Sequence, residues 1–197
     1  SLSLAAAMGS LALATSAQAA TIYTENFEGS EVADGDPTFN TYTGWKSTLF
    51  TGANTNELYA LAYATHLSEI GTAFGVIFAN TLTADLGINF ADDTDYTFSF
   101  DQFQRSDQNA VTSGVTAQIL RADTGAILKT VDFAAVTGTS SSDIANRSVT
   151  FSTSGGGEVG QEIRLVFISA TPSNLQVGID NISLTTTAVP EPSSAAL

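Results

Sequence analysis

Between residues 20 and 186 the chain repeats one pattern: short runs of alternating apolar and polar residues, broken by clusters of Gly, Asn, Asp or Ser. A period of two places successive side chains on opposite faces of an extended strand, whereas a surface helix needs a period near 3.6. Runs at 22–27, 58–65, 73–82, 95–103, 115–122, 127–133, 147–153, 163–169 and 175–184 fit the first period. Only the stretch 83–90 hints at the second. Residues 121–126, Arg-Ala-Asp-Thr-Gly-Ala, read as a hairpin turn, and 138–142 and 154–157 as loops. About nine short strands with turn signals between them predict an all-β chain folded as an antiparallel β-sandwich.

The alternation also assigns faces. Tyr96, Phe98 and Phe100 share one side of their strand, the expected core side. Asp101, Phe103 and Arg105 continue the opposite side, an acid, an aromatic and a base in one row. The rows Phe74, Val76, Phe78 and Ile163, Leu165, Phe167 are read as core by the same burial preference. The last run breaks its own rule, because Leu175, Val177 and Ile179 hold one parity while Ile182 and Leu184 hold the other. A one-residue slip at Asp180-Asn181 explains the change, and a β-bulge is the ordinary cause. A bulge re-aims side chains, so Asp180 is expected to point into a site.

Charge narrows the function classes. Six Lys+Arg stand against 20 Asp+Glu, a formal net charge of -14, which repels phosphate backbones and anionic lipid surfaces. Nucleic acid is therefore not an expected partner. Hydrophobic residues at 43% allow a packed core. The absence of cysteine removes thiol catalysis, zinc–thiolate sites and disulfides together. His66, the only histidine, stands apart from any G-x-S-x-G elbow, although a Ser–His–Asp arrangement using it is conceivable. Gly155-Gly156-Gly157 lacks the Lys and following helix of a phosphate loop. The acidic clusters at 34–36 and 92–95 lack the spacing of an EF-hand and read as solvated turns.

Both ends carry address-like segments. Residues 4–14 form a small apolar run followed by Ala17-Gln18-Ala19, an A-x-A cleavage site, so 1–19 read as the back half of a secretory signal peptide. The run is too short for a stable membrane span. After the domain at 20–186, residues 187–197 contain Val189-Pro190-Glu191-Pro192, two prolines bracketing a glutamate on an extended stem. This resembles the PEP-CTERM sorting signal of Gram-negative, biofilm-forming bacteria, without the hydrophobic helix and basic cluster that follow it in that family. The resemblance implies an exosortase-type processing enzyme as partner and a secreted or outer cell-surface location.

Within the domain, Asn26-Phe27-Glu28-Gly29, Gly44-Trp45, Tyr96-Thr97-Phe98-Ser99-Phe100 and Gly178-Ile179-Asp180-Asn181-Ile182-Ser183-Leu184 occur in that order. The series resembles the galactose-binding-like jelly rolls, carbohydrate-binding modules among them. The resemblance implies a jelly-roll topology and a structural Ca2+ joining the first strand to the last. Carried onto this chain, Glu28 and Asp180 are the implied carboxylate ligands, with backbone carbonyls near Thr24 or Lys46 as further partners. Two carboxylates from distant strands, held together beside a bulge, also call for a cation or a proton between them.

A sugar site needs an aromatic platform and a few orienting polar groups, for which Trp45, Tyr59, Tyr63, Phe103 and Arg105 are the candidates. Tyr59 and Tyr63 share a parity with Leu61 and fit amphipathic packing equally, while Trp45 fits a core plug as well as a platform. No catalytic constellation stands out. The sequence therefore predicts a non-catalytic extracellular or matrix protein with calcium-supported carbohydrate binding and extracellular polysaccharide as partner. The alternative is a purely structural or adhesive component, and a polysaccharide hydrolase is the third reading.

Overall fold

The computed structural model describes residues 18–27, 45–49, 53–54, 58–60, 73–78, 81–104, 113–138, 141–170 and 176–189. Among them are twelve strands: β1 (Ala20–Glu25), β2 (Trp45–Leu49), β3 (Ala53–Asn54), β4 (Leu58–Ala60), β5 (Ala73–Phe78), β6 (Thr81–Asn89), β7 (Thr94–Phe103), β8 (Val115–Arg121), β9 (Ile127–Phe133), β10 (Ala145–Ser152), β11 (Glu162–Ser169) and β12 (Gln176–Ala188). The pairings are antiparallel. They form two six-stranded sheets. Sheet A has the order β10-β7-β12-β5-β4 with β1 also beside β12, and sheet B the order β3-β2-β6-β11-β8-β9. The chain is an all-β antiparallel sandwich, as its alternation predicts, of the jelly-roll type that the resemblance implies.

The core lies between the sheets and is built by parity. β7 turns Tyr96, Phe98 and Phe100 inward and β11 turns Ile163, Leu165 and Phe167 inward, all 2% exposed or less. Phe167 meets Phe98 and Phe100 at ring-centroid distances of 5.3 Å and 4.8 Å, stitching the sheets together. Burying each such ring contributes about 1.5–3 kcal/mol.

Three strands exceed the nine runs read from the sequence. The 73–82 run is two strands that enter different sheets, and β2 and β3 add short pairings. The 83–90 stretch is strand, not helix. Its alternation runs through, with Leu82, Ala84, Leu86, Ile88 and Phe90 on the core side, although Gly87 takes φ 67° and the register with β11 shifts between Glu162 and Arg164. The Gly87 amide donates to Glu162 Oε1 at 2.8 Å and holds the irregular backbone.

Turn chemistry follows the sequence closely. In the β8–β9 hairpin the Gly125 amide donates to the Arg121 carbonyl at 2.9 Å, with Gly125 at φ 69°. Arg121 and Asp123 form an exposed ion pair at 2.7 Å on the same turn. Asp92 accepts the amides of Asp93 at 2.9 Å and Gly155 at 2.6 Å, so part of the acidic run 92–95 organises an exposed turn. No helix among the described residues is long and apolar enough to cross a membrane.

Candidate functional site

The outward face of sheet A carries the most unusual chemistry in the fold. Gly75 and Ile77 of β5 face the core, since a Cβ on Gly75 would meet Leu82 and Phe27 at 3.0 Å. Phe74 therefore lies on the outward side, which corrects its reading as part of the core row between the sheets. It is nonetheless 2% exposed, because it meets Phe103 edge-to-face at 4.8 Å and 73°. Phe103 follows inward-facing Gln102 on β7 and so shares the outward face with Asp101. Its ring covers Gly178 of β12, its register partner; a Cβ there would stand 2.2 Å from the ring. Only a residue without a side chain admits that contact.

One register step along, Asp180 of β12 is the partner of Asp101 of β7. The ladder shifts between Asp180 and Ser183, and Asn181 takes φ 48°, the left-handed conformation that Asn tolerates better than most residues. The bulge turns Ile182 back to the core and leaves Asp180 on the outward parity. Asp180 is 1% exposed. Asp101 uses both carboxylate oxygens as acceptors, one from Asn146 Nδ2 of β10 at 3.1 Å and the other from Asn181 Nδ2 at 2.9 Å. A single row thus crosses β10, β7 and β12: Asn146, Asp101, Asp180. Its β10 end faces solvent and its β12 end is buried.

The other side of β12 changes partner at the same point. Residues 182–186 pair with β1 and residues 176–179 with β5. The end of β1, including Glu25, consequently arrives beside the bulge. The Phe27 amide donates to Glu25 Oε1 at 2.7 Å, and Phe27, at φ 55°, enters the core at 0% exposure.

Of the residues the sequence singled out, Asp180 and Phe103 come to this one face. Tyr59 lies in β4 opposite Phe74. Trp45 does not join them. It is 1% exposed and stacks on Phe167 at 5.9 Å, with Phe27 against it at 5.9 Å. Its Nε1 donates to the Tyr23 hydroxyl at 3.0 Å. Buried against both rings, Trp45 here is a plug between the sheets and not a surface platform. The Tyr23 hydroxyl is pushed up to about 12 chiefly by burial, with Glu25 adding to the shift and the Trp45 hydrogen bond opposing it. Glu28, Tyr63, Arg105 and His66 lie outside the described residues.

Sequence reasoning missed Asn146 and Phe74 as members of the site. Both are distant from Asp101 and Asp180 in the chain, and only strand order and register bring them together. A second polar constellation, at one end between the sheets, is satisfied internally. Gln102 donates to the Ala134 carbonyl at 3.1 Å and accepts from Arg147 Nε at 2.9 Å, while Arg147 lies 5.5 Å over the Phe133 ring. It ties the segment after β9 to sheet A.

No family model and no curated protein matches the chain. Among solved structures it is similar to FisC, a Stig cyclase from Fischerella sp. TAU, in complex with (3Z)-3-(1-methyl-2-pyrrolidinylidene)-3H-indole, with 18% identity over 88% of this chain and 100% of that chain and a TM-score of 0.66. The apo form of a cyclase from Fischerella sp. gives 17% identity, 88% and 98% coverage and a TM-score of 0.65. A lower likeness joins it to the CBM22-1 and GH10 modules of a Clostridium thermocellum xylanase complexed with xylohexaose, with 14% identity, 90% and 30% coverage and a TM-score of 0.49. The shared element is the β-sandwich. The Fischerella matches contradict the expectation of a non-catalytic protein, and with it the purely structural alternative. That expectation took the lack of a familiar triad or phosphate loop as evidence against catalysis. Yet the Fischerella structures, which share this fold over most of the chain, are cyclases.

Proposed function

We propose that the chain is an enzyme in which the Asp101–Asp180 pair, set against Phe74 and Phe103, transfers protons to an uncharged, ring-bearing organic substrate. The observation that carries this reading is the register of the two carboxylates. Directly opposed residues on neighbouring antiparallel strands have Cβ atoms about 4.5–5.5 Å apart. Two ionised carboxylates so placed repel, and a proton or a cation shared by the pair relieves that repulsion. With a proton, it is a general acid with its conjugate base beside it. Asp101, held by two amide donors, is the acceptor that keeps its orientation. Asp180, buried on the row adjoining the Phe103–Gly178 pair, is the member that delivers the proton to an apolar substrate. A ring closure on an uncharged molecule needs that combination: an acid to activate the electrophile and a base to take a proton back. The cyclases similar in fold support the substrate class, and one of those structures is in complex with 4-(1H-indol-3-yl)butan-2-one.

The test is turnover, followed by mass spectrometry, with that indole and with xylohexaose as probes. The wild type is expected to convert one of them, and Asp180→Asn to lose about 10²–10⁴-fold in rate, the usual range for a general acid. Asp123→Asn, on the far hairpin, serves as control. Full activity in Asp180→Asn overturns the assignment of the acid, and no conversion by the wild type overturns the substrate class.

The cation alternative is supported by the partner change of β12 at Asp180, which brings the end of β1 there. In that reading Asp180 and Glu28 hold a structural Ca2+. Among the described residues no three His, Cys, Asp or Glu converge as a metal site, so Glu28 and backbone carbonyls would supply most of the roughly 6–8 oxygens that calcium takes. Melting with Ca2+ and with EDTA separates the readings. A higher melting temperature in Ca2+ assigns the pair to an ion, and equal melting removes the ion.

Export also belongs to this proposal: a signal segment at 1–19, a sorting tail at 187–197 processed by an exosortase-type enzyme, and an extracellular or outer-surface location. Recovery from the culture medium with an N-terminus at Ala20 is the expected result, and retention in the cytoplasm with residues 1–19 intact refutes it.

A further inference from the structure

One of the two amide donors to Asp101 comes from a vulnerable place. Among the described residues β10 is the outer strand of sheet A, with β7 as its ladder partner, and Asn146 is its second residue, just after a short 3-10 turn at Ser141–Asp143. The end of an edge strand opens more readily than the interior of a sheet, because fewer contacts oppose it. Fraying there would take Asn146 Nδ2 off the Asp101 carboxylate. The next residue opposes that. Arg147 shares the inward parity of Val149, which is 1% exposed. Its Nε donates to Gln102 Oε1 at 2.9 Å and its Nη2 to the Ala134 carbonyl at 3.3 Å. Gln102, at 0% exposure, donates to the same carbonyl at 3.1 Å.

The register places this bond beneath the site. Asn146 is opposite Asp101, Ala145 opposite Gln102 and Arg147 opposite Phe100, so the Arg147–Gln102 bond crosses the same two strands diagonally on the inner face. Bonds on both faces of one strand pair resist sliding and twisting together. The guanidinium also stands 5.5 Å over Phe133 of β9, whose ring meets Phe100 edge-to-face at 5.5 Å. Phe133 and Ala134 belong to β9 and the residue after it, so sheet B holds the start of β10 from across the sandwich. That segment is fixed in turn, since the Gly138 amide donates to Gln104 Oε1 at 3.0 Å. An aliphatic side chain such as Val149 fills an inward position on an edge strand without directional bonds. The planar fork of arginine, with its donors in fixed directions, sets geometry as well as filling space.

We infer that Arg147 and Gln102 are positioning residues, a clasp on the inner face of β10 and β7 that keeps Asn146, and through it the Asp101 carboxylate, in place on the outer face. For its catalytic consequence the inference rests on the proton-transfer reading of Asp101; its geometry does not. The effect passes through the backbone. With the clasp closed, the start of β10 stays in register and Asp101 accepts from both Asn146 and Asn181. With the clasp removed, the Asn146 bond opens, and the donor left is Asn181 on the interior strand β12. A carboxylate held at one oxygen is free to turn about its side-chain torsion.

The test reads the side-chain amide protons of Asn146 and Asn181 by 15N–1H NMR in the full chain. An N–H donated to a carboxylate resonates and exchanges differently from a solvated one, and the two residues report separately on the two oxygens. Gln102→Met removes the acceptor of Arg147 at similar volume, Arg147→Met removes the donor, and Gln102→Glu keeps an acceptor in place. Both methionine variants are expected to move the Asn146 signal to its solvated position and leave that of Asn181, and Gln102→Glu to keep both. Turnover is read beside it, on 4-(1H-indol-3-yl)butan-2-one or xylohexaose, whichever the wild type converts. Gln102→Met is expected to lower kcat by about 10–10²-fold at unchanged KM, the scale of a misplaced catalytic group, with recovery in Gln102→Glu. An Asn146 signal unmoved in both methionine variants overturns the inference. So does joint movement of Asn146 and Asn181 that persists in Gln102→Glu, which marks general loosening of the sandwich. A wild type that converts neither probe overturns the proton-transfer reading, and the NMR result still decides the clasp.

Discussion

Replacing Gly178 with alanine tests the packing beneath the candidate site, because the structure leaves no room for a methyl there. The new Cβ would stand 2.2 Å from Phe103 Cε2 and 2.6 Å from Cδ2 and Cζ. Ordinary contact needs at least about 3.5 Å, so the ring must move by more than about 1 Å. Phe103 is 2% exposed and held edge-to-face on Phe74, so the movement disrupts an aromatic pair as well as creating overlap. Overpacking of this kind costs about 1–3 kcal/mol, only partly offset by the roughly 0.5–1 kcal/mol that alanine gains over glycine in chain entropy. Phe103→Ala on its own empties the space and costs about 3–5 kcal/mol. The informative variant is the double one. With the ring gone, the methyl introduced at position 178 enters vacated volume, so Gly178→Ala becomes neutral or stabilising in that background. The predicted coupling is about 1–3 kcal/mol. Urea denaturation read by the fluorescence of Trp45, the single tryptophan, gives all four stabilities. Losses that add to within about 0.5 kcal/mol refute the packing of Phe103 on Gly178.

Other predictions follow from the opposite side of the sandwich and from its surface. Burial raises the Tyr23 hydroxyl from 10.0 to about 12, so above pH 10 the unfolded chain releases a proton that the folded one keeps. Stability is unaffected below pH 10 and falls as pH rises from 10 to about 12. The full shift corresponds to about 2.7 kcal/mol, reduced to about 1–2 kcal/mol for a half-buried group; an unchanged alkaline slope in Tyr23→Phe removes Tyr23 as the cause. Trp45→Ala should cost about 3–5 kcal/mol because it empties the core between Phe27 and Phe167, and a loss below about 1 kcal/mol in equilibrium denaturation contradicts that burial. Asp85→Asn removes a partner of Arg164 on the outward face of sheet B, where the two side chains are 41% and 29% exposed. Its cost should stay below about 1 kcal/mol in calorimetry, as for other screened surface pairs.

The alternation of Tyr96, Phe98 and Phe100 is enough to place them in a core, since a strand offers two faces and these residues leave water together. The parity break at Asp180-Asn181 was equally legible, because a bulge is a local event that the spacing of Ile179 and Ile182 records. The row Phe74, Val76, Phe78 shows where the same rule stops. Alternation says that two faces differ, but it cannot say which one meets the other sheet when both are closed to solvent. Phe74 is buried on the outward face by Phe103, a residue from a distant strand. Trp45 poses a similar problem, since a lone tryptophan after glycine fits a platform or a plug, and the packing of Phe27 and Phe167 around it decides for the plug.

By itself the sequence determined the secondary structure class, the two-faced character of each strand, the site of the bulge, and a net charge of -14 that repels polyanions. These are local or additive properties, written in period and charge. The tertiary structure alone decided which rows stand beside one another. It set Asp101 against Asp180, aimed Asn146 and Asn181 at one carboxylate, and aligned serine with serine across three strands and threonine with threonine across four. Strand order and register arise from the summed packing of the whole core, a long-range cooperative quantity that no single window of residues contains.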